Sequence, residues 1–518
     1  MTERPSPCGD AADPGLRLNL GPATLAVRRA MALLFLASPL FLLSETFADP
    51  DLWGHLRFGQ DILRTGSIAE HDPYSYLSHG QSWINHEWLA EVLFALAYEA
   101  GGSPGLILLK TSICFGALGL VWRHVASKGL PFVEAGMFTL IVVGVAVPWM
   151  APVRPQIFSY LLFSVVLVVL DRVRSGRVGG LIFLPVVFAL WANLHGGFLA
   201  GLAILAVWSA GRMVLARPPR REVGLLALAT IGSLLAVLLT PYGWRLPAFL
   251  LRTAIIPRPE IADWQPLQLT GPEGVITVLV LVGMIGVIAA SRRRRDCGSL
   301  VVLALVGAGP IVAHRHLPLA MLTLAVFSAE HAADLRRRFA SPVEESPPRT
   351  AWPVAGLIAA FGLALVAAAV PHFASIRLMG PALQFPARGI AALKAARIRG
   401  NLAVPFTWGE YIIWHLGPDV RVSVDGRRET VYPQEVYAEN IRFLMGSAGW
   451  DDLIRRPETE LIMTDKTYKS DRLMRDRRDW VVAYEDPLCE IFARPGSKAA
   501  ESLQKVTLSP PPSEAFPD

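Results

Sequence analysis

Apolar runs follow one another from Val27 to Pro371, at residues 27–47, 104–125, 132–149, 156–171, 179–194, 197–213, 223–240, 274–290, 299–313, 317–333 and 352–371. A helix needs about 20 mostly apolar residues to cross a hydrocarbon core of about 30 Å, and these runs approach that length. The pattern predicts a polytopic α-helical membrane protein with about eleven spans. Residues 48–103 form a long polar insertion after the first span. Within it "WLAEVLFALAY" (88–98) is too short to cross, and with Glu87, Glu91 and Glu99 on it, it predicts a helix lying along the membrane surface. The tightest turns fall at "NLHGG" (193–197) and "AHRHLP" (313–318).

Beyond Pro371 the periodicity is that of a water-exposed domain. It reads as a helix at 387–398, strands at 401–406 and 420–425 with a turn at Asp425–Gly426, a helix at 433–444 and a strand at 459–465. A helix at 469–477 and strands at 480–486 and 489–494 complete it. Such alternation predicts a small α/β domain. Four regions result: a disordered cytoplasmic N-terminus (1–24), the transmembrane bundle (25–372), the α/β domain (384–495) and a Pro/Ser-rich disordered tail (496–518).

Composition agrees: 53% of the 518 residues are hydrophobic and 18% charged, with a mean hydropathy of +0.41. The net charge of +6 would suggest nucleic acid in a soluble chain, but its distribution argues against that. Arg172, Arg174 and Arg177, then Arg212, Arg217, Arg220 and Arg221, then Arg292–Arg295 and Arg336–Arg338 occupy short loops between spans. They read as cytoplasmic anchors under the positive-inside rule. The insertion 48–103, both hairpin tips and the α/β domain then lie on the outer side of the membrane. The N-terminus lacks the layout of a cleavable signal, so the first span is expected to stay as an anchor. Cys8, Cys114, Cys297 and Cys489 are scattered, without ligand spacing or a disulfide pattern.

On this topology the costly polar residues collect on one side, where ionisable groups at helix ends are candidates for function. In "FADPDLWGHL", Asp49 suits an N-cap and Pro50 the first helical position. Asp51 and His55, at i and i+4, share a helix face. A carboxylate there could deprotonate a hydroxyl or, as a pair with Asp49, hold a divalent cation. "NHEWLAE" fails as a zinc-protease motif because Ala90 stands where the second histidine is required; His86 and Glu87 become candidates for contact with a substrate head group. Arg154 and Gln156 open a helix and could hold a phosphate, or snorkel to lipid head groups. His195, beside two glycines that could let a ligand approach the backbone closely, is a further candidate for substrate contact, and the His314, Arg315 and His316 cluster is a candidate anion-binding group.

An aspartate-bearing loop after the first span, then a surface helix ending in glycine ("NHEWLAEVLFALAYEAGG") and a multi-span bundle, resembles the GT-C superfamily of membrane glycosyltransferases. The likeness is to the bacterial branch akin to protein mannosyltransferases and lipid A aminoarabinose transferases. These motifs lie in residues 1–130; the rest of the bundle matches by layout. The resemblance implies a polyprenyl-phosphate sugar donor, a hydroxyl acceptor on a glycan, lipid or protein, and an acid of the first outer loop at the catalytic centre. By position that acid is Asp49, with Asp51 beside it. The superfamily usually has two adjacent acids where this chain has Asp49-Pro50-Asp51, so both stay candidates for the base. The alternative reading is a transporter or a non-catalytic membrane protein that binds glycan or lipid; few charges at mid-span weigh against transport.

Overall fold

The computed structural model describes residues 22–254, 256–339, 351–378, 384–508 and 516–517. Each apolar run is helical. The membrane part comprises α1 (Pro22–Ser44), α2 (Leu52–Thr65), α3 (Trp88–Ser127), α4 (Phe132–Val143), α5 (Gln156–Arg174), α6 (Leu184–Leu194) and α7 (Phe198–Gly211). It continues with α8 (Arg220–Ala236), α9 (Arg245–Thr253), α10 (Pro272–Ala290), α11 (Cys297–Gly307), α12 (Gly309–Val312), α13 (Leu317–Phe339) and α14 (Ala351–Ala369). Seven of the described helices are long and apolar enough to cross a membrane, and the segments Val178–Leu194 and Cys297–Val312 are shorter apolar helices. Side chains such as Leu279, Val282 and Ile285 on α10 and Leu357 on α14 are more than half exposed. Apolar surface of that extent is stable only against lipid or another protein.

The expected surface helix is the first part of α3. Gly101 and Gly102 leave helical geometry (φ −156°, ψ 16° and φ 56°, ψ −144°), so the chain bends before entering the bundle; the second conformation suits glycine because it lacks a Cβ. Ala90, Phe94 and Ala95 on the first part are buried against α2. Deeper in α3, Lys110 is wholly buried and donates to the carbonyls of Leu43 and Ala151, both at 2.6 Å, and to Thr46 Oγ1 at 2.5 Å. It satisfies chain-end carbonyls that would otherwise be stranded in an apolar setting.

The arginine loops gather at one end of the bundle. There Asp171 is held by His124 (2.9 Å), Lys128 and Arg174 (2.9 Å), Arg174 reaches Glu330, and Arg336 pairs with Glu134 at 2.8 Å. Arg174 and Gln156 terminate the same helix, about 27 Å apart at 1.5 Å per residue.

The C-terminal domain carries α15 (Ala387–Ala395), β1 (Gly400–Ala403), α16 (Phe406–Leu416), β2 (Val420–Val422), α17 (Gln434–Met445) and α18 (Asp452–Arg455). It ends with β3 (Leu461–Asp465), α19 (Lys469–Arg475), β4 (Val481–Glu485), β5 (Cys489–Ala493) and α20 (Lys498–Gln504). The five strands run in the order β2-β1-β3-β5-β4, parallel across β2-β1-β3 and antiparallel at β3-β5-β4.

The first polar insertion docks on the free edge of this sheet. Val422 donates to Tyr74 O at 3.2 Å and its carbonyl accepts from Tyr76 N–H at 3.0 Å, which covers an otherwise open strand edge.

Two expectations need correction. Phe406, expected at the end of a strand, and the segment 407–416, unassigned from sequence, form the helix α16. The tail is not wholly irregular: Ser497 caps α20 through Ala500 N–H, Ala500 and Leu503 are buried, and Phe516 packs its ring 5.1 Å from Trp53. Residues 1–21 and 509–515, also expected to be disordered, lie outside the described residues.

Candidate active site

The beginnings of α2, α3, α5, α7 and α13, the segment after α9, and the C-terminal domain converge on a cavity of about 430 Å³. Asp51, His55, His86, Glu87, Gln156, His195, Arg315 and His316 all line it. A second pocket of about 260 Å³ shares Gln156, Tyr160 and Arg315 with the first and adds Arg154 and Asp263. Sequence positions up to 379 residues apart, Asp51 to Thr430, thus meet at one end of the bundle.

The structure separates the two aspartates. Asp49 Oδ1 accepts the Asp51 N–H at 3.1 Å and so shapes the turn into α2. Its other oxygen takes Arg154 Nε at 2.7 Å and also Arg154 Nη2. Arg154 completes its bonding on Asp263 at 2.5 Å. Asp49 is buried and committed to this pair, and it does not line the cavity. Asp51 stands at the N-cap of α2, yet its side chain makes no capping bond, leaving the carboxylate to the cavity. Burial pushes its pKa up to about 7, with the Asp49 charge adding and Arg154 and His55 opposing.

His55 lies one turn along, Nδ1 3.5 Å from Glu91 Oε1. Burial works against its charge, but Glu91, Glu87 and Asp51 outweigh that and bring it to about 9, so it is an imidazolium at neutral pH. For Glu87, burial favours the proton, but His86, His55, His195 and Arg315 together hold the carboxyl below its usual range. His86 Nε2 and His195 Nε2 each sit 3.6 Å from Glu87 Oε1.

His195 has a defined tautomer. Trp191 Nε1–H donates to Ser159 Oγ at 2.7 Å, Ser159 donates to His195 Nδ1 at 2.7 Å, and Gly197 N–H donates to the same nitrogen at 3.0 Å. Nδ1 is therefore an acceptor, and the ring proton sits on Nε2, toward the cavity. Burial, with Arg315 and His86 adding, pulls its pKa down to about 3, so it is a neutral hydrogen-bond donor.

Arg315 makes no ion pair or hydrogen bond among the described residues. Its guanidinium lies 4.5 Å from the centre of the Trp264 ring, and Arg258 lies 4.0 Å from the same ring. Burial draws its pKa down, but a guanidinium keeps its charge at any physiological pH. His316, lowered to about 4 by burial and Arg315, is neutral. His314 is turned elsewhere: its ring centre is 4.2 Å from that of Trp149 and its Nε2 is 3.0 Å from Glu273. The short helical turn at 314–316 points neighbouring side chains in different directions, which "HRH" as a string does not reveal. Gln156 reaches both pockets, its Oε1 buried without a partner among the described residues.

Several lining residues escaped the sequence reading, among them Tyr160, Arg258, Arg428 and Glu410. Glu410, on α16, is 4% exposed and reaches the cavity beside Gly54 and Gly426. The signal was there, a single acid in the apolar helical stretch "FTWGEYIIWHL", but nothing in the string points to its partner at position 51.

A divalent cation between Asp49 and Asp51 does not fit these residues. Asp49 is saturated by Arg154, and among the described residues no group of three or more His, Cys, Asp or Glu side chains is placed to hold a metal.

No protein-family model and no curated protein matches the chain. Solved structures do. The oligosaccharyltransferase AglB from Archaeoglobus fulgidus, in complex with an inhibitory peptide and a dolichol-phosphate, aligns with a TM-score of 0.56 and 12% identity over 84% of this chain and 69% of that one. ArnT from Cupriavidus metallidurans, bound to undecaprenyl phosphate, aligns at 0.54 and 12% over 92% and 98%. The arabinofuranosyltransferase AftD from Mycobacteria aligns at 0.52 and 16% over 91% of this chain but only 40% of its own. The chain therefore has the GT-C fold.

Proposed function

We propose that this chain is an inverting glycosyltransferase that moves a sugar from a polyprenyl-phosphate-linked donor to a hydroxyl acceptor at the outer face of a bacterial inner membrane. One observation carries the reading: a single cavity holds a carboxylate, Asp51, and a guanidinium, Arg315, neither of which has a hydrogen-bond or ion-pair partner for its side chain among the described residues. A base and an anion site facing one space are what attack by a hydroxyl on a phosphate-linked carbon requires. That two proteins of this fold bind dolichol-phosphate and undecaprenyl phosphate supports the class of carrier.

In the step, the acceptor oxygen attacks the anomeric carbon while its proton passes to Asp51. The bond from that carbon to the phosphate oxygen breaks, and the carrier leaves as a phosphate monoester with one more negative charge than it had in the donor. Arg315 balances that charge, and His195 Nε2–H and Gln156 are placed to hydrogen-bond the phosphate oxygens. Arg154, already neutralised by Asp49 and Asp263, holds Asp49 away from Asp51 and so acts mainly as a positioning residue. His55 and Glu91 keep the first turn of α2 anchored beneath Asp51. The acceptor, on a glycan, a lipid or a protein, enters on the Asp51 side.

The test is transfer by the purified protein in lipid nanodiscs from a panel of radiolabelled polyprenyl-phosphate sugars to cell-envelope acceptors. The expected result is label in the acceptor fraction. Label carried across proteoliposomes with no covalent transfer would replace this reading with transport.

A further inference from the structure

Glu410 occupies a built position. Gly54, in the first turn of α2, has no Cβ; one added there would run into the Glu410 carboxyl. At Gly426 an added Cβ would strike Asp51 Oδ1 and lie 2.9 Å from Glu410 Oε1. Two glycines from two domains thus leave room for two carboxyls side by side at the cavity wall. Glu410 Oε2 is buried with no hydrogen-bond partner among the described residues.

Most of the surrounding charges are already matched. Arg427, on the turn after β2, donates to Asp425 (2.6 and 2.9 Å) and forms an ion pair with Asp72 at 2.8 Å. Arg154 serves Asp49 and Asp263, and His55 faces Glu91. Glu87 faces the cavity with His86 and the neutral His195, each 3.6 Å away. The one cavity cation left over, Arg315, makes no ion pair with Asp51 or Glu410 among the described residues, and two adjacent buried carboxyls without a cation in contact cannot both ionise.

We propose that Glu410 is a substrate-contacting residue contributed by the C-terminal domain, a neutral carboxylic acid that donates a hydrogen bond to a hydroxyl oxygen of the sugar or of its acceptor. The proton resides on Glu410 and not on Asp51 because Glu410 is the more enclosed of the two. Burial is also the largest influence on Glu410, and Asp51 and Asp425 add to it, so its pKa stands well above the usual carboxylate value. The active site is then incomplete without the C-terminal domain. This inference rests on Asp51 being the base.

The full-length protein in nanodiscs, with Asp51→Asn, Glu410→Gln and Glu410→Ala, separates the two claims through pH profiles of kcat/KM. Glu410→Gln keeps a neutral donor of the same shape and should retain activity within about 3-fold, while abolishing the alkaline fall that the wild type shows as Glu410 ionises. Glu410→Ala should lose about 10- to 100-fold, the cost of a missing buried hydrogen bond to substrate. A rise in donor KM in that variant puts the bonded hydroxyl on the sugar, and a rise in acceptor KM puts it on the acceptor; no rise in either overturns the proposal. An alkaline limb unchanged in Glu410→Gln overturns it too. Loss of all transfer in the folded Glu410→Gln protein would mean that the ionised carboxylate is what works, as a base or as a cation ligand. Full activity in Asp51→Asn would remove the base reading on its own, whatever the Glu410 variants do.

Discussion

Asp49→Asn is the substitution that best separates the two aspartates. Asn keeps an oxygen for the Asp51 N–H, so the turn into α2 is conserved. What is lost is the charge facing Arg154. Removing one partner of a buried ion pair costs about 3–5 kcal/mol. Here the side chain of Arg154 is 30% exposed and keeps Asp263 at 2.5 Å, so the penalty is discounted to about 1–2 kcal/mol. The effect on chemistry runs the other way. The Asp51 pKa, about 7, is raised first by burial and then by the Asp49 charge. Deleting that charge, and releasing Arg154 to act on Asp51, both lower it. Asp51 must be ionised to accept a proton, so the acid limb of kcat/KM should move to lower pH, and activity at pH 6 should rise relative to that at pH 8. Thermal unfolding in detergent and a pH profile of sugar transfer, with Asp263→Asn as the milder control, read both effects. A folded Asp49→Asn protein inactive at every pH would refute the assignment and return the base to Asp49.

Two further outcomes follow from the same geometry. Arg315→Ala should weaken binding of polyprenyl phosphate about 10- to 100-fold, as expected for losing a charge-assisted contact, with little change in melting temperature because Arg315 holds no ion pair among the described residues; equilibrium binding of a fluorescent polyprenyl phosphate measures it. Gly426→Ala places a methyl against Asp51 Oδ1 and 2.9 Å from Glu410 Oε1, so transfer should fall more than about 10-fold while the protein stays folded, since overpacking typically costs only 1–3 kcal/mol; size-exclusion profiles alongside the transfer assay decide it.

The helical architecture was legible because membrane spans announce themselves by length and hydropathy, with no partner needed to recognise them. The α/β order of the C-terminal domain was legible for the same local reason, through periodicity. What sequence left open was set by contacts between distant residues. Asp49 and Asp51 are equivalent as letters, and only Arg154, 105 residues away, separates them. His314, Arg315 and His316 form one cluster in the string, yet only the latter two face the cavity. Glu410 stood in a segment assigned to no element, because its acid interrupts an apolar run that is too short for a span, and its meaning depends on Asp51 across the domain boundary. Lys110 is similar: a lone cation inside a span reads as an anomaly until the carbonyls of Leu43 and Ala151 are beside it.

The central claim is that Asp51 takes the acceptor's proton in a cavity that separately binds the carrier phosphate. Single-turnover transfer by Asp51→Asn, run beside equilibrium binding of the same lipid-linked donor, tests it most directly. The account predicts a loss of about 10²- to 10⁴-fold in the chemical step, the usual contribution of a general base, with donor affinity unchanged within about 3-fold. Turnover at the wild-type rate, or a variant that fails only because it no longer binds donor, would contradict it.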